Sequence, residues 1–173
     1  MQKTRRLVIV RHAKAETFAT SDDQRSLTDR GRTEARLLGQ WLADEGVVPD
    51  VAYVSTALRT RETWDGVAAG AGWPLEPVYD GGLYDTDEEG ALDIVRATPA
   101  TTGTIVVIGH NPTVGMLVQL LDDGEGEATG AVAAGTFPTS TAAVFDVPDD
   151  WAGLGAMAAR LRRFHVARDE AGA

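Results

Sequence analysis

The chain has three histidines, and two of them stand in matching places. His12 closes the stretch Leu7-Val8-Ile9-Val10-Arg11-His12, and His110 closes Ile105-Val106-Val107-Ile108-Gly109-His110. Each imidazole is delivered by a β-branched apolar run, the first with the Arg11 guanidinium directly before it. A third run, Val51-Ala52-Tyr53-Val54, delivers Ser55 and then Arg59. Imidazoles do nucleophilic and acid–base work near neutral pH. Guanidinium forks grip oxyanions at two points. Two of each group in equivalent positions point to an anion site, and a phosphoryl group is its natural guest.

Singly, each residue has a plainer explanation. A lone histidine can be a packed side chain, Arg59 can pair with Glu62 on a helix surface, and Asn111-Pro112 can be only a helix cap. Recurrence at three strand ends is what favours the anion site. A zinc centre would have to draw on His12, His110, His165 and carboxylates, and the arginines beside two of these would repel the cation. No GxxxxGK[ST] or GxSxG occurs, and "GLGAMA" from Gly153 lacks the third glycine of a dinucleotide fingerprint.

The composition narrows the classes further. A net charge of −10 and a pI near 4.7 argue against a broad nucleic-acid-binding face, so any bound phosphate is held by a local patch against the global field. With no cysteine there is no disulfide framework, thiolate metal site or thiol nucleophile, which suits a reducing cytoplasm. Lys3, Arg5 and Arg6 precede an apolar run too short for a secretion signal, and no segment is long enough to cross a bilayer. The expectation is a cytoplasmic protein without membrane or nucleic-acid partners.

The elements that must position these groups follow from the pattern. Leu7–Val10 and Thr104–Ile108 are continuous rather than alternating, as in central parallel strands buried on both faces. Val51–Val54, Leu75–Tyr79 and Ala142–Val147 read as further strands, and Arg160–Val166 as an edge strand. Thr28 can cap a helix to about Glu45, with Ala35, Leu38 and Leu42 on one stripe. Ser55 can cap a second helix carrying Trp64, Val67, Ala68 and Ala71. A shorter helix is expected over Glu88 to Ala97. Asn111-Pro112 reads as an N-cap with proline at the first helical position, opening a helix with Val114, Leu117, Val118 and Leu121 in phase. The acidic, glycine-rich stretch from Asp122 to Gly130 reads as a solvated loop. Alternating strands and helices predict an α/β fold with a mostly parallel sheet, formed by one domain over 1–173 with a frayed tail after about 168. Ligands of such sheets bind outside the carboxyl ends of the strands, where His12, His110 and Arg59 gather.

Four ordered motifs then carry a resemblance: "VRHAKAE" at Val10–Glu16, "LTDRGRTEA" at Leu27–Ala35, "VSTALRTRET" at Val54–Thr63 and "IGHNPTVG" at Ile108–Gly115. Together they resemble the histidine phosphatase superfamily, the phosphoglycerate-mutase-like group, and most of all its short phosphohistidine phosphatase branch. The last third of the chain matches only in general character. The resemblance implies a three-layer α/β/α sandwich and a transiently phosphorylated nucleophile at His12. It makes Arg11 and Arg59 the clamps on the phosphoryl oxygens and His110 the second pocket histidine, with Arg25 in "DDQRSLT" as an additional pocket arginine. It calls for no metal or cofactor.

Family members that cleave phosphomonoesters supply an acid to the leaving oxygen. In "GGLYDTDEEG" the candidate is Asp85, with Asp87 and Glu88 close behind, although these carboxylates also suit a solvated loop and a helix N-terminus. The implied substrate is phosphohistidine on a protein such as a histidine-phosphotransfer domain. The alternatives are a phosphomonoesterase for a small phosphorylated metabolite and a non-catalytic module that grips a phosphorylated partner.

Overall fold

The computed structural model describes residues 4–172; Lys3, among the leading basic residues noted above, and Ala173, at the end of the tail, lie outside the described residues. Among the described residues one six-stranded sheet runs in the order β3-β2-β4-β1-β5-β6. The strands are β1 Arg5–Arg11, β2 Val51–Ser55, β3 Val78–Asp80, β4 Thr104–Gly109, β5 Thr141–Val147 and β6 Arg160–Val166. The first four are mutually parallel, while β5 and β6 join antiparallel at the far side.

The continuous apolar runs are explained by two cores, one on each face of the sheet. Leu7 and Ile9 of β1 and Ile105 and Val107 of β4 pack with helices α3 (Glu88–Arg96) and α4 (Thr113–Leu121). The alternate residues, Val8, Val10, Val106 and Ile108, pack with α1 (Asp29–Asp44) and α2 (Leu58–Ala71). All eight strand residues are fully buried. Removing each such side chain from water stabilises the fold by about 1.5–3 kcal/mol, so an outward polar residue would be costly on either face.

The chain leaves β1 toward α1 on one face and leaves the neighbouring β4 toward α4 on the other. That divergence opens a crevice at the carboxyl ends of two adjacent strands. Thr28 caps α1, its hydroxyl accepting the Gly31 N–H at 2.9 Å. The two helices of that face approach very closely. A Cβ at Gly39 would sit 2.0 Å from the Val67 carbonyl oxygen, and one at Gly70 would sit 2.0 Å from that of Arg36.

Several local expectations are revised. Ser55 does not cap α2; the helix starts at Leu58 with Ala57 in the cap position, and Ser55 stays buried at the end of its strand. Pro112 takes the cap position of α4 instead of its first turn. Asn111 accepts the Gly115 N–H at 3.2 Å and donates to the Phe137 carbonyl at 2.9 Å. The strand expected from Leu75 is limited to Val78–Asp80, because Pro77 has no N–H to give a ladder. The acidic loop runs into a short helix, α5 (Thr129–Ala133), pinned by the Thr129 hydroxyl on Asp122 at 3.0 Å. Beyond Arg168, the Asp169 N–H donates to Glu34 at 3.3 Å, and a 3-10 turn covers Glu170–Gly172. Among the described residues no helix is long and apolar enough to cross a membrane.

Candidate active site

Strand register does the first part of the assembly. β1 and β4 pair from Arg6 with Thr104 to Arg11 with Gly109, so the residues that follow, His12 and His110, emerge side by side. Their ring centroids are 5.4 Å apart. Val54 pairs with Ile108 on the other side of β4, which brings Ser55 against His110; the Ser55 hydroxyl lies 2.7 Å from His110 Nε2. Arg59 is the second residue of α2, and its side chain reaches back over the strand ends, as first-turn side chains do.

The backbone around His12 is held from every side. Its N–H donates to the Gly109 carbonyl and its own carbonyl accepts from Ser140, both at 3.1 Å. The ring lies 2.7 Å from the Ala13 carbonyl through Nδ1. A carbonyl only accepts, so Nδ1 carries the hydrogen and Nε2 keeps its lone pair. Burial above all pushes His12 down to about 3, against the Ala13 hydrogen bond that favours the cation, and repulsion from His110, Arg59 and Arg11 adds to the fall. Burial, then Arg59, pushes His110 down to about 4, with Asp22 acting the opposite way. Both imidazoles are therefore neutral at pH 7, the state a nucleophilic nitrogen requires.

Around them stand three arginines with donors to spare. His12 and Arg59 are each 7% exposed and His110 9%, so the group is sunken yet reachable. Arg11 spends one Nη1–H on the Phe137 carbonyl at 3.2 Å. Seven buried side-chain nitrogens or oxygens among the described residues have no hydrogen-bond partner, and four of them lie here: Nε of Arg11, Arg25 and Arg59, and Nδ1 of His110. Buried unpaired polar atoms are costly. Three cationic donors left open in one sunken place match a tetrahedral oxyanion. No group of three or more His, Cys, Asp or Glu residues among the described residues is placed to hold a metal.

Two further residues belong to the site and were missed from sequence. The Asp22 backbone carbonyl accepts from Arg59 Nη1 at 2.8 Å, and its carboxylate Oδ2 accepts from Arg59 Nη2 at 3.1 Å. Arg25 Nε lies 3.6 Å from the other oxygen, Oδ1. Tyr84 donates its hydroxyl to Asp22 Oδ2 at 2.6 Å and sets its ring edge-on to His110, with centroids 5.7 Å apart. Asp22 thus occupies the far end of the Arg59 fork and leaves the Nε edge free. Its neighbour in sequence, Arg25, was the available signal for Asp22, as Asp85 was for Tyr84. Asp85 itself is exposed, and its carboxylate accepts no hydrogen bond from any described residue. Asp87 caps α3 through the Gly90 N–H at 2.9 Å, and Glu88 sits in that helix's first turn.

With this geometry in place, comparison with known proteins is informative. Residues 7–89 match the model of the histidine phosphatase superfamily (branch 1). The chain is 32% identical over 149 residues to the phosphohistidine phosphatase SixA of Escherichia coli, covering 80% of this chain and 89% of that protein. The structure of a putative phosphohistidine phosphatase SixA from Nakamurella multipartita superposes with a TM-score of 0.82 at 31% identity, covering 95% of this chain and 96% of that one. A protein histidine phosphatase SixA complexed with tungstate gives 0.76 at 28% identity, over 93% and 96% of the two chains. The three-layer α/β/α fold is thus of the phosphoglycerate-mutase-like kind.

Proposed function

The chain belongs to the histidine phosphatase superfamily and is a phosphatase, and we propose from that premise that it hydrolyses protein-borne phosphohistidine through a transient phosphohistidine on His12. The observation that carries this reading is the buried, neutral His12, its Nδ1–H tied to Ala13, facing a group of arginine N–H donors that no protein acceptor fills.

The chemistry proceeds in two displacements. In the first, the His12 Nε2 lone pair forms a bond to phosphorus as the bond to the leaving nitrogen breaks. Arg11, Arg59 and Arg25 neutralise charge on the three equatorial oxygens, and His110 offers its unpartnered Nδ1 side to the same oxygens. In the second, water attacks the phosphorus of phospho-His12 and the bonding pair returns to Nε2. Preorganisation is the protein's contribution, since strand and helix fix nucleophile and clamps before substrate arrives.

Two points support phosphohistidine as the substrate class. The relative named above is called a phosphohistidine phosphatase, and its counterpart holds tungstate, a tetrahedral oxyanion. The segment between β3 and β4 is only a 3-10 turn at Gly81–Leu83 and the nine-residue α3, too little chain for a closing lid. A side chain on another protein's surface can therefore reach the strand ends.

The test is turnover of a phosphorylated histidine-phosphotransfer domain against a panel of phosphomonoesters, with His12→Ala as control. The expected result is chelator-resistant release of phosphate, abolished by the substitution. A preference for monoesters of about a hundredfold in kcat/KM, or about 2.7 kcal/mol, would assign the enzyme to small phosphorylated metabolites. Tight binding without turnover would make it a phospho-partner module.

A further inference from the structure

Asp22 stands out because it is the one carboxylate paired with any of the pocket arginines among the described residues. It is also more than a counter-ion. Oδ2 is occupied by Arg59 and Tyr84, while Oδ1 has no hydrogen bond and only a 3.6 Å approach to Arg25. The side chain is 56% exposed, so the carboxylate stands open to solvent beside the Arg59 guanidinium. A carboxylate has about four acceptor sites, and here at least two remain. Tyr84 foremost, with Arg59, holds the carboxyl below its ordinary range against the effect of burial, so the group is an anion at neutral pH.

An in-line displacement puts the leaving group opposite the nucleophile. His12 is buried, while the Asp22 side chain, fixed on Arg59, is open to solvent, so a ring departing away from His12 moves toward the solvent to which Asp22 also opens. Such an imidazole leaves readily as a neutral ring only when its remote nitrogen carries a proton; otherwise it must depart as an anion. We propose that the Asp22 carboxylate accepts the N–H of the remote ring nitrogen of the substrate phosphohistidine, holding the substrate in its protonated, cleavable form. This inference rests on the phosphohistidine reading given above.

The balance is simple. The substrate enters with its phosphorylated ring protonated on the remote nitrogen. His12 Nε2 donates its pair to phosphorus, the phosphorus–nitrogen pair returns to the leaving ring, and that ring departs neutral, still carrying its N–H. His12, now phosphorylated, keeps Nδ1–H on the Ala13 carbonyl at 2.7 Å. Water then attacks, the phosphorus–nitrogen pair returns to Nε2, and dihydrogen phosphate leaves with both protons of the water. The two imidazoles flanking the phosphoryl group are thereby treated alike, each with its remote N–H on a fixed oxygen: Ala13 for the enzyme's ring and Asp22 for the substrate's.

The experiment compares phosphohistidine with 1-phospho-3-methylimidazolium, whose methyl group makes the ring permanently cationic, in wild type and Asp22→Asn. The amide oxygen can still accept from Arg59, so the clamp keeps its partner. Above the imidazole range of about 6.5, Asp22→Asn is expected to lower kcat/KM for phosphohistidine by about a hundredfold. Its effect on the methylated substrate should stay under about tenfold, and the loss on phosphohistidine should shrink as the pH falls. Equal losses on both substrates would make Asp22 a positioning residue for Arg59 and overturn the proposal, as would no loss on either. If wild type turns over neither phosphoimidazole while hydrolysing phosphomonoesters, the substrate reading itself falls and this inference falls with it.

Discussion

Thr63 holds Ala13: its hydroxyl accepts the Ala13 N–H at 3.0 Å while donating to the Arg59 carbonyl at 2.7 Å. One buried side chain thus joins the residue that orients His12 to the turn of α2 that carries the clamp. Thr63→Val keeps the shape and removes both bonds, leaving a buried N–H without a partner. The expected cost is about 1–3 kcal/mol of stability, measured by urea unfolding. In the proposed mechanism kcat falls more than KM rises, because the loss is one of alignment; unchanged kinetics would show that the tie is structural only.

Ser55 makes a comparable test at the other imidazole. It is fully buried with its hydroxyl 2.7 Å from His110 Nε2, which leaves Nδ1 as the nitrogen free for substrate. Ser55→Ala releases the ring to rotate. On the order of tenfold should be lost from kcat, with the His110 resonances shifted in an imidazole NMR spectrum. A full-rate variant with a displaced His110 resonance would separate ring orientation from catalysis.

Stability should depend on pH through the same pair. His12 is held at about 3 and His110 at about 4 in the folded protein, against about 6.5 in an unfolded chain. Between those values the unfolded chain binds protons that the folded one refuses, so stability is fully present above about 6.5 and is lost as pH falls toward 4. The slope reaches about 1.4 kcal/mol per pH unit for each histidine, and at 5.4 Å the rings titrate as a coupled pair. Urea midpoints from pH 7 down to 4 should fall less steeply for His110→Asn than for wild type. Parallel curves would contradict the buried, neutral assignment.

The arginines should separate by role. Arg59→Lys keeps the charge but loses the fork that serves Asp22 at one end and leaves Nε free at the other. More than about a hundredfold in kcat/KM is expected to go. Arg25 is 28% exposed and lies at the rim, so Arg25→Ala should act mainly on binding, weakening tungstate by about 1.5–3 kcal/mol. Steady-state kinetics read the first and isothermal titration with tungstate the second, and a kcat/KM loss for Arg25→Ala as large as that for Arg59→Lys would remove the distinction between inner clamp and rim.

What was legible in the sequence follows from how local each cause is. β1 and β4 announced themselves because burial on both faces leaves no room for alternation, and histidines at two strand ends are a one-dimensional signal. Ser55 misled because a hydroxyl between a strand and a helix matches the pattern of a cap, whereas its actual partner lies 55 residues away. Asp22 and Tyr84 meet across 62 residues, and nothing in either local pattern marks the encounter. The family resemblance directs the search for an acid to "GGLYDTDEEG", and so to Asp85. Folding placed the carboxylate on the loop after His12 instead.

The glycines between α1 and α2 extend the enzyme's vulnerable region well past its pocket. With backbone atoms where Cβ atoms would have to go at Gly39 and Gly70, the two helices meet at hard contact, and any side chain added there levers α2 outward. Arg59 rides on that helix, so the lever's far arm ends at the proposed phosphoryl clamp. Random mutagenesis scored only by lost turnover should therefore return substitutions along this outer joint, in proteins that still fold and whose strand-end residues are all intact.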